Sequence, residues 1–222
     1  MSIAALILPV VLFQGGTAVG AASADRFQHC AAIIEESPER AYEEGMAWAS
    51  EGHALGGFRC AALALIAQNR HDEGARRLES LAASVSLERT ALRAELYSQA
   101  GNAWLLAREP AQAVSALTRA IVTVESDPVQ LPDLLIDRAR AFAMERDWRH
   151  SEEDLSRALD LRAEDALALR LRAAARMHQN SFDLAEADAL AAVRLAPANV
   201  DNFLILGHIR ESRRIGAPVE EQ

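Results

Sequence analysis

The 222-residue chain contains no lysine, and all 23 of its basic residues are arginine, a bias of GC-rich coding more than of chemistry. Acid outnumbers base, 32 residues to 23, for a formal net charge of -9. That balance argues against a nucleic-acid surface, because phosphate affinity rests on Lys and Arg neutralising the backbone. Cysteine is limited to Cys30 and Cys60, and His29, His53, His71, His150, His178 and His208 never fall at H-E-x-x-H or another metal-ligand spacing. Structural zinc is therefore not expected, and no metal site is assigned. G-x-S-x-G, a glycine-rich phosphate loop and a dinucleotide fingerprint are all missing. No catalytic residue is assigned, no cofactor is implied, and the chain is not read as an enzyme. The carboxylate clusters Glu152-Glu153-Asp154 and Glu186 with Asp188 read as solvated helix faces, the usual place of acids.

Aromatic residues make up only 5% of the chain, while 50% is hydrophobic and alanine is very common. Disorder throughout is excluded, and helices packing closely through small side chains are expected, since alanine has the best helix propensity. The stretch Ala166 to Asn199 shows how they repeat. Phe182, Ala185, Ala189, Ala192 and Leu195 recur at spacings of three and four, one helical stripe, before Pro197 ends it. Shifted back by 34 residues, the window places Trp148, Ser151, Leu155, Ala158, Leu161 and Ala163 on the same positions. Such a pair of short helices cannot bury its stripe alone, so successive copies must stack into a continuous core.

The first stretch reads as a secretory signal: an apolar run from Ile3 to Phe13, Gly15 and Gly16, then Ala22-Ser23-Ala24 before Asp25. The run is too short for a membrane span of about 20 residues. Cleavage after residue 24 would make the mature protein periplasmic or secreted; membrane attachment is expected only if the leader is retained, and the absence of Lys or Arg ahead of the run keeps that alternative open. From Asp25, Ser37-Pro38-Glu39 marks a helix start with a capping hydroxyl. Helical pairs are expected at about 25–54 and 55–88, both with degenerate spacing, and after a spacer at 88–93 at 94–127, 132–165 and 166–199. Asp127-Pro128 and Leu131-Pro132 bracket a four-residue insertion. Residues 200–214 form a capping helix, and 215–222 a flexible acidic tail.

Tyr97, Ala100, Gly101 and Trp104, with Ala113, Leu117 and Ala120, and their counterparts through Arg214, resemble the tetratricopeptide repeat (TPR) pattern W-x2-L-G-x2-Y, A-x3-F, P. With its leader and paired cysteines, the chain is similar to small exported bacterial members of that family. The resemblance implies an all-α, right-handed helix-turn-helix solenoid whose first helices line a concave groove. Arg172 and Arg176 depart from the pattern, standing where apolar residues are usual, and are expected to lay their stems along the surface with charged ends in solvent. Cys30 and Cys60 fall on first helices that neighbour one another in such a stack; either they form a disulfide, as an oxidising compartment permits, or they are two buried free thiols.

First helices carry Arg138, Arg140, Arg170, Arg172, Arg176, Arg210, Arg213 and Arg214, while second helices carry Glu152, Glu153, Asp154, Asp183, Glu186 and Asp188. The resemblance turns this into a basic groove with an acidic outer surface; the alternative is pairing between helices within the chain. In each first helix, positions 4, 7, 8 and 11 form the packing stripe, and 2, 5, 9 and 12 form another that is free to meet a ligand. The second stripe supplies Ser98, Asn102, Arg140, Arg170 and His208 as candidate groove residues, with Asp133, Asp201 and Glu211 on the same stripe. Asn and Arg facing one groove is similar to the carboxylate clamps of peptide-binding TPR proteins. The expected function is a non-catalytic periplasmic scaffold binding a peptide or protein segment, acidic or with a free C-terminal carboxylate. The alternative is a structural subunit of an envelope assembly, or one that associates with itself.

Overall fold

The computed structural model describes residues 18–52, 54–124 and 129–219. The apolar run Ile3–Phe13, His53, the Asp127-Pro128 step and the acidic Glu220 and Glu221 lie outside the described residues. All regular structure among the described residues is helical. The helices are α1 (Ala18–Glu36), α2 (Pro38–Ser50), α3 (Ala54–Ala67), α4 (His71–Ser84), α5 (Thr90–Leu106), α6 (Pro110–Thr123), α7 (Leu131–Met144), α8 (Trp148–Leu161), α9 (Ala166–His178), α10 (Phe182–Leu195) and α11 (Val200–Ile215). No helix of the described residues is long and apolar enough to cross a membrane. The fold class is the all-helical hairpin stack expected from the repeat.

Two compact units divide the chain, Met1–Val85 and Ser86–Gln222. In the first, α1 and α2 meet at Ser37, whose N–H still bonds to Ile33 O at 2.8 Å. Ser37 stands at the start of α2 as expected, but its hydroxyl makes no capping bond. Here the helices approach through glycine. A Cβ on Gly57 of α3 would lie 2.4 Å from Ala49 N and 2.5 Å from Gly45 O of α2, so α2 and α3 touch backbone to backbone. The first of the two thiol readings holds: Cys30 of α1 is bonded to Cys60 of α3 across a Cα–Cα distance of 6.0 Å, with Trp48 of α2 buried against the pair. The bond ties the two first helices of this unit to one another.

In the second unit α5–α6, α7–α8 and α9–α10 are hairpins, and α11 follows as a single helix against α9 and α10. Each second helix is wedged between the first helix of its own hairpin and that of the next, and first helices also touch their neighbours, α5 with α7, α7 with α9 and α9 with α11. Second helices make at most marginal contact with one another, so the first helices form the inner row of the stack. Helix α5 begins at Thr90, within the stretch read from sequence as spacer, because the bond from Arg93 N to Arg89 O adds a turn ahead of the repeat. Non-glycine residues in left-handed conformation close the hairpin turns of both units: Asn69, Arg108, Arg146 and Asn180, with φ from 59° to 61°. Each is followed by a residue whose N–H reaches five residues back, as Asp147 N does to Phe142 O at 2.9 Å, satisfying a carbonyl at the end of the first helix.

Two ion pairs recur in register. Arg138 of α7 grips Asp154 of α8 through Nε at 2.8 Å and NH2 at 2.7 Å, and Arg172 of α9 grips Asp188 of α10 at 2.8 and 2.9 Å, both across 16 residues of sequence. Asp154 and Asp188 are buried at 6% exposure each. The reading of these carboxylates as solvated faces is thereby corrected. So is the expectation that Arg172 and Arg176 end in solvent: their side chains are only 17% and 15% exposed. Arg176 donates both to Asp188 of its own hairpin, at 2.8 Å, and to Glu152 of the preceding one, at 2.7 Å. A forked guanidinium on a carboxylate satisfies both planar groups, which is why these charges tolerate the core.

Removing one partner of a buried pair strands the other, at a cost of about 3 to 5 kcal/mol. Asp188→Ala strands two arginines and Asp154→Ala one, so the former is expected to lower the urea midpoint further; equal losses would show that Arg176 is satisfied by Glu152 alone. Replacing Cys30 and Cys60 with alanine is expected to cost about 3 to 4 kcal/mol for opening a loop of this length. Amide exchange should then accelerate in α1–α4 and stay unchanged in α7–α10.

Candidate functional site

With Arg138, Arg172 and Arg176 turned into the layer between helices, and Arg210 and Arg213 paired to Glu186 of α10, the basic groove expected from the charge division is not formed. The alternative reading, pairing between helices, describes these side chains. The inner row keeps Arg140 and Arg170 as its arginines on the second stripe of the first helices. Arg140 is exposed on α7 at 49%, and its NH1 lies 3.1 Å from Asp137 Oδ1. Arg170 of α9 is 24% exposed and reaches Asp201 Oδ2 of α11 at 3.4 Å. Of the three acids sharing the stripe, only Asp201 neutralises one of its arginines: Asp133 pairs with Arg162, and Glu211 with Arg214.

Asp137 is the residue that sequence reasoning missed. It lies one position off the stripe, yet its carboxylate stands between two candidate groove residues. Asn102 of α5 donates to Oδ2 at 2.7 Å, while Arg140 donates to Oδ1. The signal was present in its spacing three residues before Arg140 on one helix face. Asn102 and Arg140 thus converge from adjacent inner helices on a single carboxylate, the chemistry expected of a clamp, except that the carboxylate belongs to the chain. Ser98 and His208 stand on the same row, half-buried, on α5 and α11. Leu167 and Leu204, exposed at 43% and 54%, add apolar surface on α9 and α11.

Burial pushes the Asp137 carboxyl above its ordinary range, against the opposing pull of Asn102 and Arg140. Among the described residues no group of three or more His, Cys, Asp or Glu could hold a metal ion. The row therefore carries donors for a carboxylate on α5 and α7 and exposed leucines on α9 and α11.

No protein-family model matches the chain, and no curated protein matches it. Among solved structures it is similar to YrrB, a TPR protein with an unusual peptide-binding site, at 14% identity over 85% of this chain and 97% of that one, TM-score 0.63. It is also similar to a MamA RS-1 double mutant, at 13% identity over 83% and 98%, TM-score 0.64. Over 54% of its length it is similar to the first TPR of Spaghetti (RPAP3) bound to the HSP90 peptide SRMEEVD, at 23% identity, 91% of that chain and TM-score 0.50. These likenesses establish the fold as a tetratricopeptide-repeat solenoid.

A carboxyl whose folded value is raised favours folding below its unfolded value, near 3.9, and that contribution is lost as pH rises through the folded value. Asp137→Asn is expected to be more stable than the native chain at neutral pH, with the gap closing as pH falls toward 4. Loss of the exposed Arg140 partner subtracts at most about 1 kcal/mol. Urea melts across that range check it; a gap independent of pH would assign the burial cost elsewhere.

Proposed function

We propose that this protein is a non-catalytic scaffold that binds a peptide or protein segment along the inner row formed by α5, α7, α9 and α11, with a preference for an acidic segment or a free C-terminal carboxylate. The convergence of Asn102 and Arg140 on one carboxylate carries the reading: two donors from neighbouring helices already hold the group that a ligand would present. Arg170 extends the same chemistry to the next helix. Its partner Asp201 is 58% exposed and reaches it only at 3.4 Å, so a ligand carboxylate can replace Asp201 without uncovering a buried charge. Leu167 and Leu204 would take apolar side chains beside it. Export through the leader, to the periplasm or beyond, is part of the same proposal, supported by the apolar run and the small-residue site before Asp25.

An acidic peptide with a free C-terminus, compared with its amidated form by calorimetry, is the test. Arg140→Ala and Arg170→Ala are each expected to weaken binding by about 1.5 to 3 kcal/mol, the worth of a charge-assisted bond. Added salt should weaken it further. Asp201→Asn is expected to strengthen it by freeing Arg170. Equal affinity of the native chain and the double arginine variant, with helicity intact, would move the interface off this row. A second reading, association of the chain with itself, is favoured by one observation, the exposed face of α11.

A further inference from the structure

Helix α11 repeats the packing stripe of a first helix with no second helix over it among the described residues. The comparison within the chain is direct. At the fourth position of the template, Tyr97 of α5, Leu135 of α7 and Leu169 of α9 are buried at 5%, 0% and 7%, whereas Phe203 of α11 is 49% exposed. Four residues further on, a Cβ on Gly101 would strike Leu117 Cγ of α6 at 2.5 Å, and Ala139 and Ala173 are fully buried. Gly207, at the same position in α11, has nothing within 4 Å. Val200, Phe203, Gly207, Arg210 and Arg214 fall at spacings of three and four and make one stripe down this open face. Val200 is 67% exposed, and the Arg210 and Arg214 side chains 58% and 71%.

We infer that this stripe is a self-association surface, on which α11 of one copy crosses α11 of a second copy antiparallel, with Gly207 at the two-fold axis. The stripe is apolar in its first half and arginine in its second, so it is self-complementary in the antiparallel sense alone. Parallel pairing would set Arg210 on Arg210. Antiparallel pairing sets the Phe203 ring beside the guanidinium of Arg210 of the partner subunit, a cation–π contact this chain already makes internally: Arg59 lies 4.4 Å from the Phe27 ring centroid and Arg138 5.7 Å from that of Phe142. Glycine at the crossing lets the two backbones approach closely, as Gly45 and Gly57 do between α2 and α3.

The stripe does not call for an acidic occupant. Arg210 is bonded to Glu186 at 2.8 Å, and Arg214 is bonded to Glu211 through two nitrogens at 2.8 and 2.6 Å, so each guanidinium brings its own counter-charge. A surface that is charge-compensated within its own chain, and apolar where its copy presents arginine stems, fits that copy. One helix pair buries less than the roughly 1,200 Å² of ordinary stable complexes. The dimer is accordingly weak and reversible, forming at concentrations from about 10 μM to 1 mM.

The stripe is distinct from the inner-row positions Arg140 and Arg170, so failure of peptide binding leaves it untouched. Sedimentation velocity of the full chain over that concentration range is expected to show a monomer–dimer equilibrium, and Phe203→Glu to abolish it with the melting temperature unchanged. Because both native cysteines are bonded to each other, Gly207→Cys adds one free thiol in open space. Mild oxidation is expected to link two copies through it at least tenfold faster than a thiol placed by Glu153→Cys on α8. A native chain that stays monomeric throughout, or Gly207→Cys linking no faster than the control, would overturn the inference.

Discussion

The arginine–aspartate latch between the two helices of a hairpin is the contact on which α7–α8 and α9–α10 depend. A core of alanines lets helices approach closely, but it supplies little apolar area per residue and few shapes that distinguish one register from another. Arg138–Asp154 and Arg172–Asp188 provide that distinction, because a forked guanidinium meets a carboxylate in one geometry and a slipped helix would strand both charges. Arg176 carries the same logic between hairpins by reaching Glu152 of α8 as well as Asp188 of α10. The hairpin α5–α6 has Ala100 and Ala116 at the corresponding positions, both fully buried, and closes instead by seating Leu117 on Gly101. One fold thus uses two solutions at one template position, and either keeps the layer between helices electrically neutral.

The first unit meets the same requirement by other means. Its α2 and α3 approach until glycine is the only residue that fits, at Gly45 and Gly57, and a disulfide fixes α1 to α3 around Trp48. Such backbone contact maximises dispersion between helices while contributing little side-chain burial. The covalent tie then supplies what a small core lacks.

Consumption of arginines by the latches also defines the inner row. A charge census of the first helices describes a basic groove; the structure turns Arg138, Arg172 and Arg176 between the helices, pairs Arg210 and Arg213 with Glu186 and Arg214 with Glu211, and leaves Arg140 and Arg170 on the inner row. Even these two are held by carboxylates of the chain, Asp137 and Asp201. Each of the two guanidinium groups on the row thus already has an internal acid beside it. Asp201 is exposed and meets Arg170 only at 3.4 Å, whereas Asp137 is also held by Asn102 at 2.7 Å.

Periodicity alone pointed to the helical pairs from 94 to 199, to a helix after them and to the row on which Ser98, Asn102, Arg140, Arg170 and His208 stand, because a 3.6-residue repeat dictates which residues share a face whatever lies opposite. It equally put Tyr97, at the fourth position of the packing stripe, in the core. What lies opposite was decided only in three dimensions. Nothing in the spacing of Arg172 distinguishes a side chain stretched into solvent from one turned onto Asp188, since both leave the helix unchanged and differ only in the neighbour sixteen residues away. Asp137 escaped for the same reason: one step off the stripe on a helical wheel, it is brought to the inner row by the approach of α5, which carries Asn102. The left-handed residues Arg108 and Arg146 likewise belong to the turn geometry rather than to any residue preference, because arginine gains nothing from positive φ and is held there by the bonds that close each hairpin. Sequence sets which atoms a helix presents; only packing sets which of them find each other, because a charge is satisfied by its neighbour in space and not by its neighbour along the chain.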